Sequence, residues 1–227
     1  MISFKGMRNT ADIIMTAVRW YISYQLSYRD VQEMLAERGV HVHHSSVFRW
    51  VIKYVPLLEK RFREHKKPVG RSWRMDETYV QVNGKQKYLY RAVDKEGNTV
   101  EFLLTARRNA KAALRYLRKA MKTSGRPQKI TIDKSAASTA AIKTHNRESH
   151  SRVHMRRVKY LNNIVEQDHR PVKRKMRSMM GFKKFRTARI TIAGIELVNM
   201  LRKGQMRSPD GESVGWVEQF FSLAFAT

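Results

Sequence analysis

Residues 73–84 read Trp-Arg-Met-Asp-Glu-Thr-Tyr-Val-Gln-Val-Asn-Gly. From Trp73 to Val82 the stretch alternates, with Trp73, Met75, Thr78 and Val80 reading as inward positions against polar neighbours. Asn83-Gly84 is a strong hairpin turn. Lys87–Val93 reads as a second strand, ending in the turn-rich Asp94-Lys95-Glu96-Gly97-Asn98, and Thr99–Thr105 as a third. Asn109–Lys122 then has helical spacing, with Ala112, Ala113, Tyr116, Leu117 and Ala120 inward and Gly125 and Pro127 closing it. Lys129–Ile132 is a short apolar strand that stops at Asp133. Ser135–Thr144 reads as a helix, Arg152–Val158 as a strand and Asn162–Met180 as a long basic helix. Three strands on tight turns followed by helix, strand, helix and strand predict a mixed α/β sheet. Its first three strands are antiparallel, and helical crossovers make the later ones parallel neighbours. Ile190–Leu201 and Trp216–Phe225 add two further helices.

The chain upstream reads as helical. Ile13, Ile14, Ala17, Val18, Trp20 and Tyr21 recur at three-to-four spacing behind Asn9 and Thr10 as caps. Tyr28–Arg38 carries Val31, Met34 and Leu35 on one side and stops at Gly39. A third run starts near Ser45, where Val47, Trp50, Val51 and Tyr54 share a face, and Pro56 leaves room only for a short continuation from Leu57 to His65. Lys66-Lys67-Pro68-Val69-Gly70 is the best linker, since Pro and Gly break both periodicities. The expected organisation is therefore a helical domain at 1–66, an α/β domain at 67–205 and a tail helix at 206–227.

Tyr28–Tyr54 has the length and turn of a helix-turn-helix. Its second helix would present Ser45, Ser46, Arg49 and Lys53 to a DNA groove; the plain alternative is a helical hairpin. His41, His43 and His44 have no carboxylate or Cys nearby, which favours a solvent- or phosphate-facing turn over a metal site. Charge supports the DNA reading. The 227 residues hold 46 Lys+Arg against 19 Asp+Glu, a balance of 46 − 19 = +27, and such a surplus is commonly matched by a polyanion. With 42% hydrophobic residues there is material for a core, which excludes wholesale disorder. The absence of Cys excludes disulfides, thiolate metal sites and a Cys nucleophile. No apolar run long enough for a membrane span and no signal-peptide pattern is found, so the expectation is a soluble intracellular protein.

In so basic a chain, carboxylates at strand ends and on basic helices need a reason. Asp76 interrupts the first strand, Asp133 follows the fourth, and Glu166 lies in the basic segment 151–189 with Asp168 as the only other acid. Strands one and four can lie side by side, which would bring Asp76 and Asp133 together, and a helix across the edge could add Glu166. Three converging carboxylates repel one another unless a divalent cation sits between them, and hard oxygen ligands suit Mg²⁺, with Mn²⁺ as a substitute. Two such ions roughly 4 Å apart can activate a hydroxyl and stabilise a leaving oxygen at a phosphodiester. The alternatives are ordinary: an Asp after a strand can be a turn or cap residue, as the composition around Asp94 suggests. Glu77 could stand in for Asp76, although its side chain should face the other way. Asp168 could replace Glu166, but the two lie about 200° apart around the helix. Arg170, Lys173 and Lys175 follow as candidate phosphate ligands, or as a salt-bridge ladder.

Several blocks then resemble a known family. They are Ala17-Val18-Arg19-Trp20-Tyr21, Leu26-Ser27-Tyr28-Arg29-Asp30-Val31, Ala36-Glu37-Arg38-Gly39-Val40, Arg49-Trp50-Val51, Trp73–Tyr79, Leu89-Tyr90-Arg91-Ala92-Val93-Asp94, Ile132-Asp133-Lys134, Lys159–Arg170, Gly181-Phe182-Lys183 and Gly194-Ile195-Glu196. In this order, from about Phe4 to Gln205, they resemble the DDE transposases of bacterial insertion sequences, specifically the insertion-sequence-six family. The resemblance implies a ribonuclease-H-like catalytic domain behind a helix-turn-helix that binds the element's terminal inverted repeats. It also implies a triad at Asp76, Asp133 and Glu166, Lys173 as the downstream basic residue, and Mg²⁺-dependent strand cleavage and transfer that yields cointegrates. Double-stranded DNA, both repeat ends and target, would be the partner of a homodimer or larger assembly. His43 departs from the pattern, standing where an acidic cap is expected. The alternative readings are a non-catalytic repressor derived from a transposase, or a metal-dependent nuclease or resolvase, which would cut without joining.

Overall fold

The computed structural model describes residues 1–133, 135–150, 152–158, 160–207 and 214–225. Lys134 and Lys159 of the quoted motifs, and part of the expected tail, lie outside the described residues. The chain forms two compact units, one of residues 1–67 with 172–227 and the other of residues 68–171.

The second unit holds a five-stranded sheet in the order β3-β2-β1-β4-β5. Strands β1 (Ser72–Val82), β2 (Lys85–Val93) and β3 (Thr99–Thr105) are antiparallel neighbours. The first hairpin turns at Asn83 and Gly84, both with positive φ (51° and 66°) as a type I′ turn requires. Strands β4 (Lys129–Ile132) and β5 (His154–Arg157) run parallel, β4 alongside β1 and β5 alongside β4. This is the ribonuclease-H-like mixed sheet expected. Helix α4 (Ala110–Ser124) begins on the side chain of Asn109, which accepts from the amide of Ala112. Its Ala112, Ala113, Tyr116, Leu117 and Ala120 are buried in one cluster with Trp73, Met75, Tyr90, Ala92, Ile130 and Ile132. Helix α5 (Ala136–Glu148) supplies Ala141 and Ile142 to the same cluster. The expected inward set of β1 needs correction: Trp73 and Met75 point to this core, whereas the buried Thr78 and Val80 have the opposite parity and stand on the other face. The inward side therefore changes at Asp76-Glu77.

Asp94 behaves as the turn residue its surroundings suggested. It is fully buried and its carboxylate accepts from the amides of Gly70, Glu96 and Asn98 and from the Asn98 side chain.

The helical unit contains α1 (Ala11–Ser23), α2 (Tyr28–Ala36), α3 (His44–His65), α7 (Phe185–Arg202) and α8 (Trp216–Phe225). Helix α6 (Asn163–Ser178) runs from the second unit into this one. Pro56 does not interrupt α3, whose 22 residues run through it to His65, where the expected continuation ends. A proline inside a helix costs about 3 kcal/mol, but Tyr54, Val55, Leu58 and Phe62 are all fully buried. Burying such side chains contributes about 1.5–3 kcal/mol each, and the exposed proline faces away from them. The expected α/β segment 67–205 also differs from the compact units, because 172–205 packs with the N-terminal helices. Helix α7 is buried along nearly its whole length. A Cβ added at Gly194 would meet Ile22 Cγ2 at 2.9 Å and the Val55 methyls at 3.2 Å, so side chains of α1 and α3 rest directly on the α7 backbone there. The helix is buried on every side from Ile190 to Leu201, the polar Thr191, Glu196 and Asn199 included, as a helix at the centre of a helical cluster must be. Among the described residues no helix is long and apolar enough to cross a membrane.

Candidate active site and nucleic-acid interface

Parallel pairing of β1 with β4 runs through Ser72↔Lys129, Trp73↔Ile130 and Arg74↔Thr131. Two residues beyond the last pair, each strand reaches an aspartate, Asp76 on β1 and Asp133 just past the end of β4. Paired positions share a sheet face, and two steps along a strand return to it. Asp76 thus stands on the face of Arg74 and Thr131, opposite the Trp73–Ile130 core; Asp133 follows Ile132 directly, its Oδ1 accepting from the Ser135 amide at 2.9 Å, and both aspartates are partly exposed. The carboxyl ends of parallel strands are where open α/β sheets form their ligand crevices.

That face also carries cations. Arg91 is the β2 partner of Asp76, and Arg156 the β5 partner of Thr131. The Arg74 guanidinium donates to the Leu161 carbonyl (3.1 Å), and that of Arg156 to Thr131 Oγ1 (3.2 Å). Arg91 is fully buried and held from α6: Nη2 donates to Asp168 Oδ2 at 2.7 Å and Nη1 to the Asp168 carbonyl at 2.8 Å. The next residue, His169, is 1% exposed, with Nδ1 3.4 Å from Arg91 Nη1 and Nε2 3.2 Å from Asp76 Oδ2.

Each of the two stand-in carboxylates is engaged elsewhere. Glu77 points to the opposite face and pairs with Arg108. Burial pushes the Glu77 carboxyl up, Arg108 pulls it back, and the negative charges of Asp76 and Asp133 push it up again. Asp168 is committed to Arg91. Glu166 lies exposed in the first turn of α6, one turn before His169. Among the described residues no three His, Asp or Glu side chains are gathered closely enough to hold a metal ion. The donor chemistry nevertheless fits a hard divalent cation: a carboxylate within β1, another just past β4, a third on the helix that supplies His169, and a buried imidazole Nε2 at Asp76 without an aligned hydrogen bond.

Arg91 and His169 are what residue-type reasoning missed. Both lie in the motif blocks quoted above, which was the available signal, but a strand arginine reads as solvent-facing until its partner, 77 residues away in sequence, is known.

In the helical unit, α2 and α3 are joined by the short turn 37–43. Ser27 caps α2 in a reciprocal box with Asp30, whose carboxylate is held below its usual range by the amide and hydroxyl of Ser27. After α2, the Gly39 and Val40 amides donate to the Ala36 and Leu35 carbonyls and Gly39 takes φ +73°, a Schellman stop. The His43 ring replaces the missing acidic cap: Nδ1 accepts from the Ser45 amide at 3.3 Å, and the His44 amide donates to Gln32 Oε1 at 2.7 Å. With Val47, Trp50, Val51 and Tyr54 buried, Arg49 and Lys53 are exposed one turn apart, and Ser45 and Ser46 lie half-buried at the head of that stripe. Arg170 and Lys173 are exposed as well. Lys175, expected to hold phosphate, does not face solvent. It is 4% exposed, with Nζ donating to the Leu26 carbonyl (3.2 Å) and lying 4.6 Å over the Tyr21 ring. Helical periodicity puts it on the apolar side of α6 beside the buried Val172 and Met176.

A family model described as a DDE domain matches residues 70–205. The transposase for insertion sequence-like element IS431mec of Staphylococcus aureus (strain N315) is 40% identical over 210 residues, covering 90% of this chain and 91% of that protein. The transposase for insertion sequence element IS257 in transposon Tn4003 of Staphylococcus aureus is 39% identical over the same length. Among solved structures, the catalytic core domain of HTLV-2 integrase in complex with magnesium (trimeric form) aligns with a TM-score of 0.47 and 12% identity, over 64% of this chain and 94% of that one.

Proposed function

The chain belongs to the DDE transposases of insertion sequences, and from that premise we propose that it binds the terminal inverted repeats of its element and joins them to target DNA, giving cointegrates. The observation that supports this reading is that Asp76 and Asp133 each follow by two residues the last pair of the parallel β1–β4 ladder, with Arg74, Arg91 and Arg156 on the face of Asp76. Asp76, Asp133 and Glu166 would hold two Mg²⁺ ions, with Mn²⁺ as a substitute. Bound metal supplies Lewis acidity, activating an attacking oxygen and stabilising the leaving one. The chemistry is two phosphoryl transfers. Hydrolysis at each element end frees a 3′-hydroxyl, and that hydroxyl attacks a phosphodiester of the target.

The chain's own residues supply grip and orientation. Arg49 and Lys53, with the hydroxyls of Ser45 and Ser46, read the repeat from α3. Exposed Arg170 and Lys173 hold phosphates along α6, so binding falls steeply with salt. Two ends handled together call for at least a dimer on DNA.

The test is a joining assay with labelled repeat ends, target DNA and Mg²⁺. Asp133→Asn abolishes joining and leaves end binding intact; a variant that still transfers strands refutes the assignment. Cutting by the wild-type protein without joining or repeat preference would make it a nuclease, and end binding without either activity a repressor.

A further inference from the structure

We propose that His169 is a positioning residue that sets the orientation of Asp76, with its tautomer dictated by Arg91. The inference rests on the reading of Asp76 as a metal ligand and deepens it. A guanidinium carries only donors, so the Nδ1 that lies 3.4 Å from Arg91 Nη1 is the accepting nitrogen of the ring. The proton then resides on Nε2, the atom 3.2 Å from Asp76 Oδ2. Arg91 cannot turn away, because Asp168 holds it through both its carboxylate and its carbonyl, at 2.7 and 2.8 Å.

Asp168, Arg91, His169 and Asp76 thus form a directed chain from α6 back to β1, buried at its centre. The Nε2–Oδ2 contact is within hydrogen-bond reach but not aligned as a bond, and contacts of this kind tighten when a site is loaded. Once it does, Oδ2 of Asp76 is fixed by the imidazole and Oδ1 stays free for a cation. Outer partners of this type raise metal affinity by holding the ligand in its bound rotamer. The same contact secures α6 to the sheet one turn after Glu166.

Two substitutions separate positioning from packing. Gln at 169 places an amide nitrogen near the position of Nε2, whereas Asn reaches only as far as Nδ1. Mn²⁺ binding to the full chain, measured by electron paramagnetic resonance of the free ion, is expected to weaken about tenfold or more in His169→Asn and to stay within about threefold of wild type in His169→Gln. Equal losses in both variants, or none in His169→Asn, overturn the proposal. Asp76→Asn, run in parallel, isolates the underlying reading: if it leaves Mn²⁺ binding unchanged, Asp76 is not a ligand and the metal-site assignment fails with it. The unaltered protein gives an independent readout. With ¹⁵N-labelled histidine, the resonances missing from His169→Gln identify the ring, and they are expected to report a proton on Nε2; a proton on Nδ1 overturns the proposal.

Discussion

Asp168→Ala removes the carboxylate that Arg91 meets at 2.7 Å and leaves the guanidinium fully buried, still donating to the backbone carbonyl of residue 168 but without the opposite charge. Two unit charges about 4 Å apart interact by about 4 kcal/mol at an effective dielectric of 20. Breaking a buried pair from one side costs about 3–5 kcal/mol, since the surviving charge stays desolvated. The expected loss therefore lies in that range. Arg91→Met combined with Asp168→Leu removes both charges at similar volume and should recover most of it. Because the chain has two compact units, a single melting curve would mix their transitions. Amide hydrogen exchange along Lys85–Val93 reads the sheet unit directly. Protection there should fall by roughly two to nearly four orders of magnitude in Asp168→Ala, each order being about 1.4 kcal/mol, and return in the double variant. A fall of less than tenfold, or a double variant no better protected than the single, would show that the pair does not secure the sheet.

Two further outcomes concern the helical unit. Burial pushes the Lys175 ammonium down to about 8, with Asp30 opposing the shift. A lysine whose folded pKa lies below the unfolded 10.5 is protonated at a cost below pH 8, on the order of 3 kcal/mol, and that cost is relieved as pH rises from about 8 to 10.5. Exchange protection in α1–α3 should rise across this window, and Lys175→Met should flatten the slope and stabilise the unit at pH 7. A slope that persists in Lys175→Met assigns the titration to another group. Gly194→Ala inserts a methyl 2.9 Å from Ile22 and 3.2 Å from Val55, an overpacking worth about 1–3 kcal/mol. Urea denaturation followed by exchange in α7 should show that loss, and an unchanged midpoint would mean that Ile22 and Val55 do not rest tightly on the α7 backbone.

What the sequence discloses is mostly what neighbouring residues decide. Asn83-Gly84 is a turn because only certain residues tolerate two successive positive φ values, and the Asn109 cap and the α4 stripe follow from local spacing. Asp76, within β1, and Asp133, just past β4, could be related from the chain alone because the fold class implies that their strands are neighbours. The failures lie where distant packing overrules local rules. Pro56 marks a break only if its helix has nothing to bury, and α3 has Tyr54, Leu58 and Phe62. Lys175 reads as a phosphate ligand from composition, yet the face it occupies belongs to the core. Arg91 and His169 acquire meaning only once α6 crosses the sheet, and no window of sequence contains both ends of that contact.

Strand β4 is only four residues long, while its neighbour β1 runs for eleven. Its brevity is what frees the flank of Asp76: the ladder with β1 stops at Arg74↔Thr131, and two residues further on stands an acid instead of another pair. Lengthening β4 by one position would rotate Asp133 to the α4 side of the sheet, and lengthening it by two would zip the opening shut. The economy of that strand, more than any side chain, is what keeps a doorway in an otherwise sealed wall.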